Sequence, residues 1–333
     1  MLQPLAYVRT LTPAARHNLL HTRAKLHDGD GTIGLSYERT GQVLLDATRP
    51  DTSRIHWYET GPDNPAATTV VYVHGFNISA ETFYKQVRGV DEQCPEVRQI
   101  LIDLPGHGQN PTTDPGNLTI DRAADACAAV LRERGATGRI VVVGHSLGGP
   151  VSLSMMRRYA EEFPWSASVQ ISSAVEPFTV QGLPQILAGP IGRGLETAIA
   201  ATPRFAEGVR EVVTDTITPV LALGFYFRPM PYDIVDFHAV MIRETPLETY
   251  AGYFQDLLYH SELEAGTVLA GMPGYILVGD RDNVTPVSQS EVLHRIWPRA
   301  YMQVLPDSGH MPPLDAPGAV TTAIVRLIEG EQP

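Results

Sequence analysis

Cysteine is nearly absent: Cys94 and Cys127 are the only two in 333 residues. Two thiols cannot lay down a disulfide framework over such a length, so both are expected as buried free thiols. Basic residues are short as well. Lys and Arg total 25 against 37 Asp and Glu, a net charge of −12, which argues against the basic footprint of a nucleic-acid binder. Long apolar runs are missing. The longest, Val220–Phe227, falls far below the ~18 residues that a membrane span needs, so no integral span is expected. In the opening MLQPLAYVRT, Pro4 sits where the apolar core of a secretory signal would run, and a cytoplasmic location is the expectation. No period of 20 to 50 residues recurs, which removes solenoids and propellers. There is no H-E-x-x-H pair, cysteine cluster or phosphate-binding glycine loop, so neither a metal nor any other cofactor is implied. Nothing in the pattern specifies an oligomeric state.

What is present is an ordinary globular composition, with 43% hydrophobic and 19% charged residues, enough apolar surface to offset chain entropy. The length allows two domains or one large core with an insertion. Thr12-Pro13 reads as a helix start, with the helix running to about Leu26 and stopped by Asp28-Gly29-Asp30-Gly31. His17 and His21 lie four apart on it and could chelate a metal. With no third ligand nearby, two solvated histidines are the plainer reading. Short amphipathic stretches near Leu35–Arg39 and Ile55–Glu59 read as an antiparallel hairpin on a sheet edge.

From Thr68 the pattern changes to uninterrupted β-branched runs: TTVVYV, RQILID, RIVVVG, SVQIS, and later YILVG and YMQVL. Such runs suit strands buried on both faces of a parallel sheet. Helical stretches at Thr119–Arg134, Gly148–Glu162, Pro286–Ile296 and Ala316–Glu329 separate several of them, which implies βαβ units and a doubly wound α/β fold. The alternation stops between about Glu176 and Gly266. A structureless loop of that length is improbable in a compact domain, so an inserted helical cap is expected there, with a packing extension that covers no site as the alternative. The division is then 1–50 as an N-terminal extension, 51–175 with 267–333 as core, and 176–266 as cap. Residues 176–265 hold twelve acids, five arginines and no lysine.

The strongest chemical signal is Gly144-His145-Ser146-Leu147-Gly148-Gly149, directly after the strand Ile140–Val143 and before a helix. This is G-x-S-x-G in its strand–turn–helix setting. Gly144 and Gly148 remove side chains that would collide in so tight a turn. The serine is thereby raised in a strained conformation at the carboxyl edge of the sheet. A hydroxyl is a weak nucleophile until a base takes its proton, so a histidine is needed on a late loop. His310, after the strand Tyr301–Leu305, fits. The imidazole in turn needs an anion to fix its tautomer, and the loop after Tyr275–Val278 offers Asp280 and Asp282.

These motifs resemble the α/β-hydrolase superfamily over about Ile55 to Ile328, most of the chain. The family's G-x-x-D followed by a proline falls on Gly279, Asp282 and Pro286, so the resemblance favours Asp282 over Asp280. Its strand–H-G-x pattern falls on Val73, His74, Gly75 and Phe76. The resemblance implies an oxyanion hole formed by the backbone N–H groups of Phe76 and Leu147. It also implies a structural role for Asp103 in the turn Asp103–Gly108, and structural hydrogen bonds rather than base chemistry for His74, His107 and His145. Phe225, Tyr226, Phe227, Tyr250, Tyr253 and Phe254 are candidates for lining a substrate pocket, or for packing the cap. Ser146 at the elbow disfavours the aspartate-dependent epoxide hydrolases and haloalkane dehalogenases. The implied activity is hydrolysis of small-molecule carboxylic esters through an acyl-enzyme. Thioester, carbon–carbon, proline-peptide and perhydrolytic chemistry remain open, as does a non-catalytic ligand binder.

Overall fold

A computed structural model describes residues 33–45, 53–110, 115–178 and 224–331. The helix expected over Thr12–Leu26, with His17 and His21, lies outside these residues, as does the stretch 179–223 of the expected cap. The strands are β1 (Arg39–Leu44), β2 (Arg54–Thr60), β3 (Thr69–Val73), β4 (Arg98–Ile102), β5 (Ile140–His145), β6 (Trp165–Ile171), β7 (Gly274–Gly279) and β8 (Ala300–Leu305). They form one sheet in the order β1-β2-β4-β3-β5-β6-β7-β8. From β3 to β8 all pairings are parallel, while β1 and β2 are antiparallel to their neighbours. The hairpin is therefore present, but its first strand lies after Leu35–Arg39 rather than on it. Pairing decides this: Arg39 stands opposite Glu59, and Thr40 bonds both His56 and the Trp57 carbonyl.

The helices carried into the argument below are α1 (Tyr84–Gln93), α2 (Ile120–Glu133), α3 (Gly148–Arg158), α4 (Tyr232–Glu244), α5 (Leu247–Tyr259), α6 (Val287–Ile296) and α7 (Pro317–Glu329). Successive strand residues face opposite ways, and both faces are covered. Val71, Val73, Ile100, Ile102, Ile140 and Val142 pack in one core with α2, α3 and α6. Val70, Tyr72, Leu101, Val141 and Val143 pack in the other with α1 and α7. That double burial is why the strands read as continuous apolar runs. Helix α1 was not anticipated, although Phe83, Val87, Val90 and Cys94 follow a helical spacing and are all buried.

The chain steps from β3 to β4 on one side and then from β4 across to β5 on the other. The order therefore reverses at β3, and ligands of open α/β sheets bind at the carboxyl ends of the strands flanking such a point. Phe76 follows β3 and Ser146 follows β5, so both sit at that crevice. Between β6 and β7, helix α5 docks on the loop after β4. Thr249 Oγ1 donates to the Gly106 carbonyl (2.8 Å), and the Tyr253 hydroxyl donates to that of Pro105 (3.3 Å). Asp256 accepts from the Ile120 N–H at the start of α2 (2.6 Å), beside the Thr119 cap. Helix α4 packs Ile234, Val235, Phe237 and Met241 against Tyr84, Met311 and Leu314. Both cysteines are free and buried. Among the described residues no helix is long and apolar enough to cross a membrane.

Candidate active site

Strand β5 ends in a turn so tight that Ser146 adopts a left-handed φ of 53°, a conformation that non-glycine residues hold only when the surroundings enforce it. The enforcement is visible. Ser146 N–H donates to the Ile171 carbonyl (3.0 Å), and the Ser146 carbonyl accepts from Gly149 N–H (2.9 Å). Helix α3 starts hard against β3: a Cβ on Gly148 would lie 2.0 Å from the Val73 carbonyl oxygen, so only glycine fits.

His310, on the loop after β8, lies with Nε2 2.9 Å from Ser146 Oγ. Its Nδ1–H donates to Asp282 Oδ2 at 2.9 Å, with Oδ1 at 3.1 Å. Asp282 is itself fixed by a local turn in which the N–H groups of Val284 and Thr285 donate to Oδ1, each at 2.9 Å. Thr285 Oγ1 adds a bond to Oδ2 at 3.0 Å. Burial works against ionisation of this carboxyl. The charge and hydrogen bond of His310, with the Thr285 N–H, outweigh it and hold Asp282 below the ordinary carboxylate value. Asp280 is exposed beside Arg281 (3.7 Å) and makes no such contact. The structure thus brings together Ser146, His310 and Asp282 and leaves Asp280 outside.

Phe76 follows Gly75 on the loop after β3, and Leu147 opens α3. Among the described residues neither backbone N–H has an intramolecular acceptor. Gly75 permits the close approach of the two loops, since a Cβ there would stand 3.0 Å from both Ser146 Cβ and His145 Nδ1. The Phe76 ring is packed edge-on by Tyr250 (5.0 Å), His107 (5.6 Å) and Tyr253 (6.0 Å).

The other candidate aromatics divide. Phe225 lies against His310, ring centroids 5.6 Å apart, and also against His238 at 5.4 Å. Tyr226 is buried, and its hydroxyl shares a 3.1 Å hydrogen bond with His238 Nδ1. Phe227 is half exposed, and Phe254 is buried. Tyr250 lies by Phe76, as above. Tyr253 is fully buried and reaches the Pro105 carbonyl, so it anchors α5.

The remaining histidines make structural bonds. His74 Nδ1–H donates to the Gly75 carbonyl (2.7 Å) while its Nε2 accepts from Leu104 N–H (2.9 Å). His107 Nδ1–H donates to Pro105 (3.0 Å). His145 Nε2–H donates to the His310 carbonyl (2.9 Å). Burial lowers all three, to about 4 for His74 and about 3 for His107 and His145, so they are neutral. Asp103 is wholly buried and accepts from Ala80 N–H (2.9 Å), Gln109 N–H (2.8 Å) and the Tyr58 hydroxyl (3.0 Å), which ties its own turn to the segment after β3 and to strand β2. One acidic cluster, Asp121, His260 and Glu262, brings ligand atoms within 4.8 Å of one another. Glu262 already takes both Arg157 (3.0 and 3.2 Å) and His260 (2.8 Å), and Asp121 takes Ser154 (2.6 Å), so this is an ion-pair network.

Thr285, His145, His238 and the Phe225 carbonyl were not brought forward by the sequence as parts of the site. Thr285 had a readable signal, since Asp with Thr three residues on, before a proline, favours a side-chain-capped turn. The others are long-range contacts with no local signature.

Comparison with known proteins identifies similar sequences and the same fold. A pimeloyl-[acyl-carrier protein] methyl ester esterase of Xylella fastidiosa is 25% identical over 268 residues, covering 78% of this chain and 94% of that protein. Methylesterase 18 of Arabidopsis thaliana is 24% identical over 249 residues, 72% of this chain and 89% of that one. The solved structure of a thermophilic esterase from Thermogutta terrifontis has the same fold, with a TM-score of 0.69 at 24% identity over 89% of this chain and 100% of that chain. The family described as Alpha/beta hydrolase family matches residues 70–323, from the first parallel strand into the last helix, and the chain belongs to it.

Proposed function

We propose that the protein hydrolyses carboxylic esters of small to medium apolar substrates by serine acyl transfer. The observation that carries this reading is the unbroken hydrogen-bonded line from Ser146 Oγ through His310 to Asp282, with both links at 2.9 Å. Ser146 attacks the ester carbonyl while His310 Nε2 takes its proton. The tetrahedral oxyanion is held by the Phe76 and Leu147 N–H groups, which have no acceptor among the described residues. Each such donor is worth about 3–4 kcal/mol in comparable enzymes. His310 then protonates the leaving alcohol, and water repeats the cycle to release the acid. Asp282 stays ionised throughout, keeps the His310 proton on Nδ1 and stabilises the imidazolium.

Residues 176–266 serve as a cap in this reading, with Phe225 beside the His310 ring, Tyr250 beside the Phe76 ring and no cofactor involved. The names of the Xylella and Arabidopsis relatives, both methyl ester esterases, support an ester of a small alcohol. The test is turnover of a p-nitrophenyl ester together with labelling by a fluorophosphonate. The wild type should turn over and be labelled at Ser146 alone. Ser146→Ala should fold with an unchanged melting temperature and lose several orders of magnitude in kcat. An inert, unlabelled wild type would replace the enzyme by a ligand-binding member of the fold.

A further inference from the structure

His310 is held by its backbone as well as by its ring. Its N–H donates to the Phe225 carbonyl (3.0 Å), and its carbonyl accepts from His145 Nε2–H (2.9 Å). The second bond joins the residue immediately before the serine to the base 165 positions later. We propose that His145 is a positioning residue that registers His310 on the strand end carrying Ser146, a role that rests on the ester-hydrolase reading above.

The sheet explains why such a link is needed. Ser146 follows β5, whereas the His310 loop follows β8, with β6 and β7 between them. Without a direct tie, any movement of the β8 loop would change the Oγ–Nε2 separation. With it, serine and base share one anchor, the end of β5, where His145 pairs in register with Ile171. The chemistry of the ring is settled by its surroundings. A carbonyl only accepts, so the single proton of neutral His145 must reside on Nε2. Among the described residues Nδ1 has no partner, it is buried, and Gly75 packs close against it. The opposite tautomer would bury an unpaired N–H and turn a lone pair toward the His310 carbonyl. The two imidazoles lie 5.3 Å apart, so His145 touches the base and is shut off from solvent.

Two substitutions separate positioning from packing. His145→Phe keeps a ring and removes the donor, while His145→Gln restores an N–H. For a p-nitrophenyl ester, His145→Phe should lower kcat about 10- to 100-fold, the scale of a sub-ångström to 1 Å misplacement. KM should stay within about twofold, as for an interaction made after binding. The rate of fluorophosphonate labelling of Ser146 should fall in parallel, and His145→Gln should recover most of both rates. A purely structural role would lower the melting temperature and leave the folded fraction fully active. A folded His145→Phe with wild-type kcat and labelling rate overturns the proposal, as does a folded His145→Gln no faster than His145→Phe. Nitrogen-15 spectra of the wild type supply an arm that needs no variant. His145 should be the neutral Nε2–H tautomer between about pH 5 and 8, and an Nδ1–H or protonated ring there overturns the proposal. A wild type inert toward ester and probe but showing that tautomer would instead strike the ester-hydrolase reading.

Discussion

Glu59 and Arg98 meet at 2.8 Å with both side chains completely shut off from solvent, away from the carboxyl edge that carries Ser146. The same carboxylate also takes Arg39 (2.8 Å), directly across the β1–β2 pair, and Arg134 (2.8 Å). Burial by itself would raise this carboxyl. The hydrogen bonds from Arg134, Arg98 and Arg39 overturn that effect and bring it from its ordinary 4.5 down to about 2. A depressed folded value means that the contribution is complete above the unfolded pKa and is lost as pH falls through the folded one. The stability due to Glu59 should therefore disappear between about pH 4.5 and 2. Glu59→Gln should cost about 3–5 kcal/mol at pH 7, because Arg98 is left buried without its anion. Urea midpoints at pH 7 and pH 3 check this. A variant as stable as the wild type at pH 7 would show that the cluster contributes nothing net.

Asp282→Asn should cripple turnover, by about 10⁴ if the serine-protease precedent holds, because an amide favours the wrong imidazole tautomer. Asp280→Asn should be mild, since that side chain is exposed beside Arg281. Steady-state kinetics on the two folded variants decide between them, and the reverse ranking would reassign the acid.

Gly148→Ala should fail at the elbow. The new methyl would stand 2.0 Å from the Val73 carbonyl oxygen and 2.6 Å from that of His74, both rigid backbone atoms. Overpacking costs of about 1–3 kcal/mol or more are expected, with ester hydrolysis lost as α3 shifts. Gly318→Ala is the control: nothing lies within 4 Å of its Cβ position, and it should be neutral or stabilising by about 0.4–1 kcal/mol. Thermal midpoints of the two variants would have to coincide for this argument to collapse.

Substrate charge is the fourth expectation. Residues 176–265 hold twelve acids against five arginines. Asp256 is engaged with Ile120 N–H, and Glu262 and Glu264 with Arg157, so at least three of the twelve are engaged within the fold. The remainder leave the insertion acidic, and one sign of charge around a cleft changes on-rates for ions by about 10 to 10³. A neutral p-nitrophenyl ester should show a higher kcat/KM than an acyl-coenzyme A of equal chain length. The gap should narrow as salt shortens the screening length below ~8–10 Å. Faster thioester turnover at low salt would reverse the assignment.

The parallel strands and the serine turn were legible because each is encoded locally. Burial on both faces writes itself as an apolar run, and the elbow's geometry demands glycines at fixed offsets. The meeting of Ser146 with His310, 164 positions apart, was inferred from the need of a serine nucleophile for a base on a late loop, since no local pattern joins the two. What escaped was set by distant partners. Strand β1 took its register from Glu59 and His56 rather than from its own alternation. The bond between His238 and Tyr226, which the sequence offered for pocket lining or for cap packing, was not foreseen. Neither side chain announces such a bond in its neighbourhood along the chain.

The Phe225 carbonyl bonds the His310 N–H, and three residues on the Arg228 guanidinium donates to the Asp307 (3.2 Å), Asp315 (3.3 Å) and Pro306 carbonyls. Phe225–Arg228, in the interior of the proposed cap 176–266, are thus part of the scaffold around the base. Inserted segments are natural targets for exchange between relatives when substrate range is to be altered. Here a transplant whose boundary falls after Arg228 would remove that residue's three side-chain ties to the loop from Pro306 to Asp315 along with the specificity it was meant to change. In the proposed cap 176–266, a junction placed before Phe225 keeps these ties with the core.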